Sequence, residues 1–349
     1  MNTKYVVVVL GLFLLTPMVC QGKPLGSDQM TPSGSPKTTT VDVPVWHVGD
    51  WWTYELELLT ARIVETNQSY NFSLRSSSLN LTVVKDTGTM YTVAVTTPQL
   101  TGDVNVSYVL EEGVITVIAS FNDTTVNGTL LFNKADLGIE QIQIHVSGRL
   151  HAKITQIPGI TLRRPIPIRG AAEIAFNVTY DVPYTLLSFP FDLGSFWGRP
   201  EVNITVDGTV ESRWLTRMDR INTFAQRHWG VVKFLSGILG MDTDVLKNMS
   251  DMCAEILPII HIGPMLQTYM GGNVFHLPQI PPIFICTGYG PVHVTAGDFD
   301  AYNISVLLEG NIAYAPMVQN IIEISGHFTT AAFPYLKTLE IQLADTSYL

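Results

Sequence analysis

The sequence predicts a mainly β protein: a curved, half-barrel-like antiparallel sheet with a helical insertion packed on its apolar face. Three observations carry this. Apolar and polar residues alternate with a period of two in one run after another, glycosylation sequons fall on the polar side of those runs, and a single stretch, 213–270, switches to helical spacing.

The chain opens with Lys4 and an apolar run from Tyr5 to Leu15, closed by Thr16, Pro17, Met18, Val19 and Cys20. At about 1.5 Å of helix rise per residue, that run is too short for a hydrocarbon core of about 30 Å. It reads as a signal peptide over residues 1–22, with Cys20 and Gly22 at the small-residue positions of the cleavage site. An alternative makes Cys20 the lipidated residue of a lipoprotein, although the bulky Val19 before it argues against that. Residues 23–44, rich in Gly, Ser, Thr and Pro, then read as a flexible linker.

From residue 45 to 349 the chain reads as the antiparallel β domain. Tyr54, Leu56 and Leu58 alternate with charged or polar residues, as do Ile142, Ile144 and Val146. Tyr70, Phe72 and Leu74 flank Asn71, and Val104, Val106 and Tyr108 flank Asn105 and Ser107. The same pattern surrounds Asn177, Asn203 and Asn303. Half-buried strands are built this way, with one face on a core and one in water. No regular helix follows each strand, which argues against a parallel βαβ architecture.

Ten of the sixteen asparagines stand in Asn-x-Ser/Thr sequons: Asn67, Asn71, Asn80, Asn105, Asn122, Asn127, Asn177, Asn203, Asn248 and Asn303. Thr-rich strands generate some sequons without selection for glycans. They do not explain why the sequons share the polar face.

Two short passages echo one another. Val48-Gly49-Asp50-Trp51-Trp52 and Leu193-Gly194-Ser195-Phe196-Trp197 each set an apolar residue, Gly, a turn-forming polar residue and two aromatics ahead of a strand. They suggest two related units, 45–185 and 189–349. Trp51 and Trp52 are either a carbohydrate platform or a core anchor, and the anchor is favoured because one of two adjacent strand residues must face inward.

In the insertion 213–270, Trp214, Met218, Ile221, Ala225 and Trp229 recur at steps of three and four, with Arg213, Arg217, Arg220 and Arg227 on a neighbouring stripe. The basic edge is either a solvated face or a contact with an anionic membrane surface. A second helix is expected after Gly240, ending before Pro258, followed by a greasy stretch that includes Ile256, Ile260 and Met265. For a bound lipid or other apolar ligand the expected contacts are Trp214, Met218, Ile221, Ile256, Ile260 and Met265. With the signal peptide removed, Cys253 and Cys286 are the remaining cysteines, and an exported setting predicts a disulfide between them.

The opening Val48-Gly49-Asp50-Trp51-Trp52-Thr53-Tyr54 resembles that of a poorly characterised group of prokaryotic, mostly archaeal, secreted and lipid-anchored surface proteins. Ala296-Gly297-Asp298-Phe299-Asp300-Ala301-Tyr302 and Tyr314-Ala315-Pro316-Met317-Val318 are similar to passages near the group's ends, with Gln319 standing where a glycine is expected. The resemblance implies a fold similar to periplasmic lipoprotein carriers, in which a half-barrel and helices enclose an apolar cavity. It implies no activity.

Catalytic chemistry is not indicated. The eight histidines are scattered without metal-ligand spacing, and no nucleophile elbow, phosphate loop or dinucleotide glycine pattern occurs. The carboxylate pairs Asp298/Asp300 and Asp242/Asp244 suit turns and caps as well as they suit a hydrolase. No cofactor or metal is expected. The net charge of −10, or −11 once Lys4 leaves with the signal peptide, disfavours nucleic acid. With 46% hydrophobic and 14% charged residues the chain forms a core, and no apolar stretch after the signal is long enough for a transmembrane helix. The expectation is an exported, non-enzymatic surface glycoprotein with a structural or adhesive role. The alternatives are a carrier for a lipid or other apolar ligand held between sheet and helices and, behind it, an extracellular hydrolase.

Overall fold

The computed structural model describes residues 40–65, 68–110, 113–156, 164–212, 273–277, 279–306, 310–327 and 336–348. Six long strands come first: β1 (Trp51–Glu65), β2 (Gln68–Asp86), β3 (Met90–Leu110), β4 (Gly113–Asn133), β5 (Ile139–Gln156) and β6 (Ile166–Tyr184). Then follow β7 (Phe196–Arg199), β8 (Val202–Ser212), β9 (Asn273–Leu277), β10 (Ile280–Val294), β11 (Gly297–Val306), β12 (Gly310–Ala315), β13 (Asn320–His327) and β14 (Leu336–Thr346). All pair antiparallel in one 14-stranded sheet of order β7-β10-β11-β12-β13-β14-β1-β2-β3-β4-β5-β6-β8-β9. The expected insertion 213–270 lies outside the described residues, and no helix occurs among the described ones.

Written as a line, this sheet is open, with β7 and β9 at its ends. The chain itself joins those ends. Only Pro200 and Glu201 separate β7 from β8, a link of at most about 11 Å, whereas a flat sheet would hold the two strands about 58 Å apart. The register also runs through the breaks without a shift, since Arg199 pairs with Ile280 and Val202 with Leu277. β7–β8 and β9–β10 therefore act as two continuous, bent strands, and the sheet wraps until its ends lie side by side. Counted this way it is a ring of 12 strands. A path from register partner to register partner once round the ring leaves β8 at Ser212, passes Leu100, Leu56 and Cys286, and returns at about Ser195. That is a shear of about 17 residues, which tilts the strands by roughly 45° to the barrel axis.

The alternation places the core inside the ring. Leu74, Val93, Val126, Ile142, Val178, Ile204, Ile304 and Ile312 are buried and belong to one apolar cluster that runs through both halves of the chain. Trp52 is fully buried and Trp51 half-exposed, so Trp52 is the inward member of the pair. At Leu58 the simple alternation fails: a bulge between Leu56 and Leu58 makes Leu59 the buried residue. Similar irregularities follow at Thr97/Leu100 and Phe121/Thr125, so a line of bulges crosses the long strands. Three of the buried polar residues, Ser76, Thr97 and Thr124, sit on it. Ser76 Oγ lies 2.6 Å from Thr97 Oγ1, and Thr97 donates to the Ser78 carbonyl at 2.6 Å, which supplies a partner to backbone that the bulge takes out of the ladder.

A 12-stranded ring is wider than side chains alone can fill. Two segments fill its lower part, residues 41–50 ahead of β1 and 185–195 ahead of β7. They cross at a bridge in which Val41 and Phe191 exchange backbone hydrogen bonds of 2.8 and 3.2 Å. Val41 and Pro44, at the end of the stretch read as linker, are thus already packed. The segments enter their strands through the same turn. In His47–Asp50 and Asp192–Ser195 the fourth residue's N–H returns to the first carbonyl at 3.0 Å, and its side chain accepts the first N–H. Gly49 (φ 103°) and Gly194 (φ 85°) take the left-handed position that such turns require. Each glycine N–H also bonds the neighbouring strand, Gly49 to Val83 and Gly194 to Cys286, both at 2.8 Å.

Candidate functional site

The turns 87–89, 134–138 and 316–319 close the lower end of the barrel around the two crossing segments. Trp46 is the centre of this plug. Its ring meets Trp52 at 5.2 Å, Tyr91 at 5.4 Å and Phe132 edge-on at 5.2 Å. Phe191 plays the same part on the other side, touching Trp197, Tyr302 and Tyr314. The polar tips are tied to backbone: Trp46 Nε1 donates to the Gln319 carbonyl, Trp52 Nε1 to Val318, and the Tyr54 hydroxyl to Ile321. Outside the plug, Lys134 pairs with Asp86 at 2.8 Å and lies 4.6 Å above the Tyr91 ring.

Above the plug a cavity of about 210 Å³ remains. It runs from the bulge line, at Leu59, Ser76, Leu100 and Val126, down to Phe132 and the turn residues Leu137 and Gln319. Val126 to Phe132 is about 20 Å of strand, or roughly 14 Å of axial depth at the tilt given above. The space therefore extends along the lower part of the barrel. Its wall is aliphatic and aromatic, and among the described residues that line it there is no Lys, Arg or His; the carboxylates are Asp136 and Glu323. Burial holds the phenols of Tyr54 and Tyr314 well above the ordinary tyrosine range, so both stay neutral hydrogen-bonding groups. The arrangement can hold an uncharged, extended apolar group and offers no cation to an anionic one.

The six residues expected from the sequence to contact a ligand, Trp214, Met218, Ile221, Ile256, Ile260 and Met265, lie outside the described residues, as do Arg213, Arg217, Arg220, Arg227, Asn67, Asn248 and Cys253. Cys286 is buried and has no disulfide partner among the described residues, and burial pushes its thiol up to about 11. None of the eight described sequon asparagines is buried: Asn71, Asn105, Asn122 and Asn127 are exposed, and Asn80, Asn177, Asn203 and Asn303 are half-buried. Asn71 stands directly opposite Asn105 across the β2–β3 ladder. Asn203 is engaged, its side-chain amide donating to Asp181 at 2.6 Å. Asp298 and Asp300 are exposed on β11, where Asp298 meets His293 at 2.8 Å. Among the described residues no three His, Cys, Asp or Glu side chains converge as metal ligands.

The cavity residues escaped the sequence reading because each is one inward position of an ordinary strand. Trp52 alone was singled out individually, as the expected core anchor of an adjacent tryptophan pair. No helix among the described residues is long and apolar enough to cross a membrane. The strands set their apolar side inward and Asn, Asp, Arg and Gln outward, the reverse of a lipid-facing barrel wall. Comparison with known protein families, curated proteins and solved structures finds no match.

Proposed function

We propose that this protein binds a lipid or another extended apolar molecule, tail first, inside the barrel. The apolar cavity above the Trp46 plug carries the reading. Its size exceeds the roughly 150 Å³ that admit a benzene ring and falls short of the ~300–1,000 Å³ of pockets that enclose whole drug-sized ligands. One hydrocarbon chain, its polar end left outside, suits that space. The long strands β2 to β6 continue beyond the bulge line, and inward residues such as Phe72, Ala119, Ala152 and Ile154 extend the apolar surface. In this reading residues 213–270 form the helical cover of that surface, with Trp214, Met218, Ile221, Ile256, Ile260 and Met265 against the rest of the ligand. It extends the expectation, drawn from the Val48–Tyr54 opening, of a carrier-like fold. In this reading the expected signal peptide over 1–22 would place the carrier outside the cell.

The test is native mass spectrometry of protein purified from its own host, before and after organic extraction. A mass lost on extraction and recovered as a lipid supports the reading. Protein that is ligand-free before extraction and takes up no lipid from vesicles overturns it.

A second reading, a structural surface glycoprotein made of two related six-stranded units, is favoured by the outward placement of the described sequons. It predicts glycans on a ligand-free barrel, which the same spectra distinguish.

A further inference from the structure

Among the described residues, two that are not glycine have positive φ: Leu137 at 55° and Gln319 at 56°. Left-handed backbone suits Gly, Asn and Asp, whereas a leucine there places its Cβ against the backbone. Both residues occupy corresponding places. Leu137 ends the β4–β5 turn and Gln319 the β12–β13 turn, both turns close the lower end of the barrel, and both residues line the floor of the cavity. Strained backbone held at a binding cavity points to a use for the side chain that the turn itself does not need.

The turn around Leu137 is firmly set. The Leu137 N–H bonds the Asn133 carbonyl at 2.8 Å, the Gly138 N–H bonds Asp136 Oδ1 at 2.8 Å, and the Asn133 N–H bonds the Gly138 carbonyl at 2.8 Å. Gly138 also leaves no space for a side chain, since a Cβ there would come within 2.6 Å of Pro183 Cβ. With its backbone fixed, Leu137 packs its side chain against the core cluster below the cavity. On the other turn, the Gln319 carbonyl is held by Trp46, and its side-chain Oε1 is buried without a partner among the described residues.

We infer that Leu137 and Gln319 form the floor that sets how long an apolar chain the cavity accepts, which makes Leu137 a specificity-determining residue for straight-chain lipids. This rests on the reading of the cavity as a lipid site. A chain entering tail first from the bulge line ends against these two side chains. Each methylene that the floor excludes costs roughly fourfold in affinity.

The experiment measures binding of a series of straight-chain fatty alcohols to the full-length protein, by displacement of a fluorescent apolar probe. Leu137→Gly suits the left-handed backbone and removes the isobutyl group, so the preferred chain becomes longer by roughly three methylenes. Leu137→Phe shortens it. Gln319→Gly provides an independent deepening from the other turn if Leu137→Gly does not fold, with far-UV circular dichroism as the check. Wild-type binding with a chain-length optimum that neither glycine variant shifts overturns the floor while leaving the lipid reading intact. A wild-type protein that binds no alcohol of any length overturns both.

Discussion

Trp46 Nε1 donates a 3.0 Å hydrogen bond to the carbonyl oxygen of Gln319, tying the segment ahead of β1 to the turn ahead of β13. The bond fixes one wall of the plug and holds Gln319 in its left-handed conformation. Trp46→Phe keeps most of the ring but leaves that carbonyl without its donor, at an expected cost of about 1–3 kcal/mol. Trp46→Ala also empties the centre of the plug and costs about 3–5 kcal/mol. Urea unfolding followed by circular dichroism measures both, and a Trp46→Phe variant as stable as the wild type would remove the hydrogen bond from the account.

Two glycines within strands set a second expectation. A Cβ at Gly128 would overlap the Gln143 carbonyl oxygen, whereas one at Gly288 would meet nothing within 4 Å. Gly128→Ala should therefore destabilise by about 1–3 kcal/mol. Gly288→Ala should be neutral or stabilise by up to ~1 kcal/mol, because it restricts only the unfolded chain. Thermal unfolding of the two variants side by side checks the difference.

At the bulge line, Thr97→Val removes the hydroxyl that serves the Ser78 carbonyl and Ser76. The expected cost is about 1–3 kcal/mol, with Ser76→Ala non-additive to it by about 0.5–3 kcal/mol because the two hydroxyls touch. A double-mutant cycle gives the coupling. Strict additivity would show that each hydroxyl serves its own carbonyl alone.

Stability should fall in alkali. Burial raises the Tyr54 phenol above its ordinary value of 10.0, so the folded protein keeps the proton that the unfolded chain releases. Its contribution is complete below pH 10 and is lost as the pH rises past it. Urea midpoints measured from about pH 8 to about pH 11 should drop over the last unit, and less steeply in Tyr54→Phe. A flat profile in the wild type would contradict the burial of this hydroxyl.

In protein from a glycosylating host, site mapping should find higher occupancy at Asn71, Asn105, Asn122 and Asn127, whose side chains are exposed, than at Asn203. The Asn203 amide is already donated to Asp181 at 2.6 Å. Asp181→Ala should raise occupancy at Asn203 and leave the other sites unchanged.

The sequence by itself determined which residues face the core. A strand's side chains alternate with a period of two whatever its partner, so Phe176, Val178, Val202 and Ile204 read as inward and Asn71 and Asn105 as outward from local pattern alone. It also marked the turns at Gly49 and Gly194 through residue types that the backbone needs. The tertiary structure alone decided how the strands pair, and pairing is not local. The link through Pro200 and Glu201 joins two ends of the sheet that no periodicity relates, and the shear that follows sets how much room the ring encloses. The bulge that exchanges Leu58 for Leu59 depends on register against β14. Leu137 likewise reads as an ordinary apolar residue in a turn. Only the closed barrel brings it to the floor of a cavity whose opposite wall comes from residues nearly two hundred positions later in the chain.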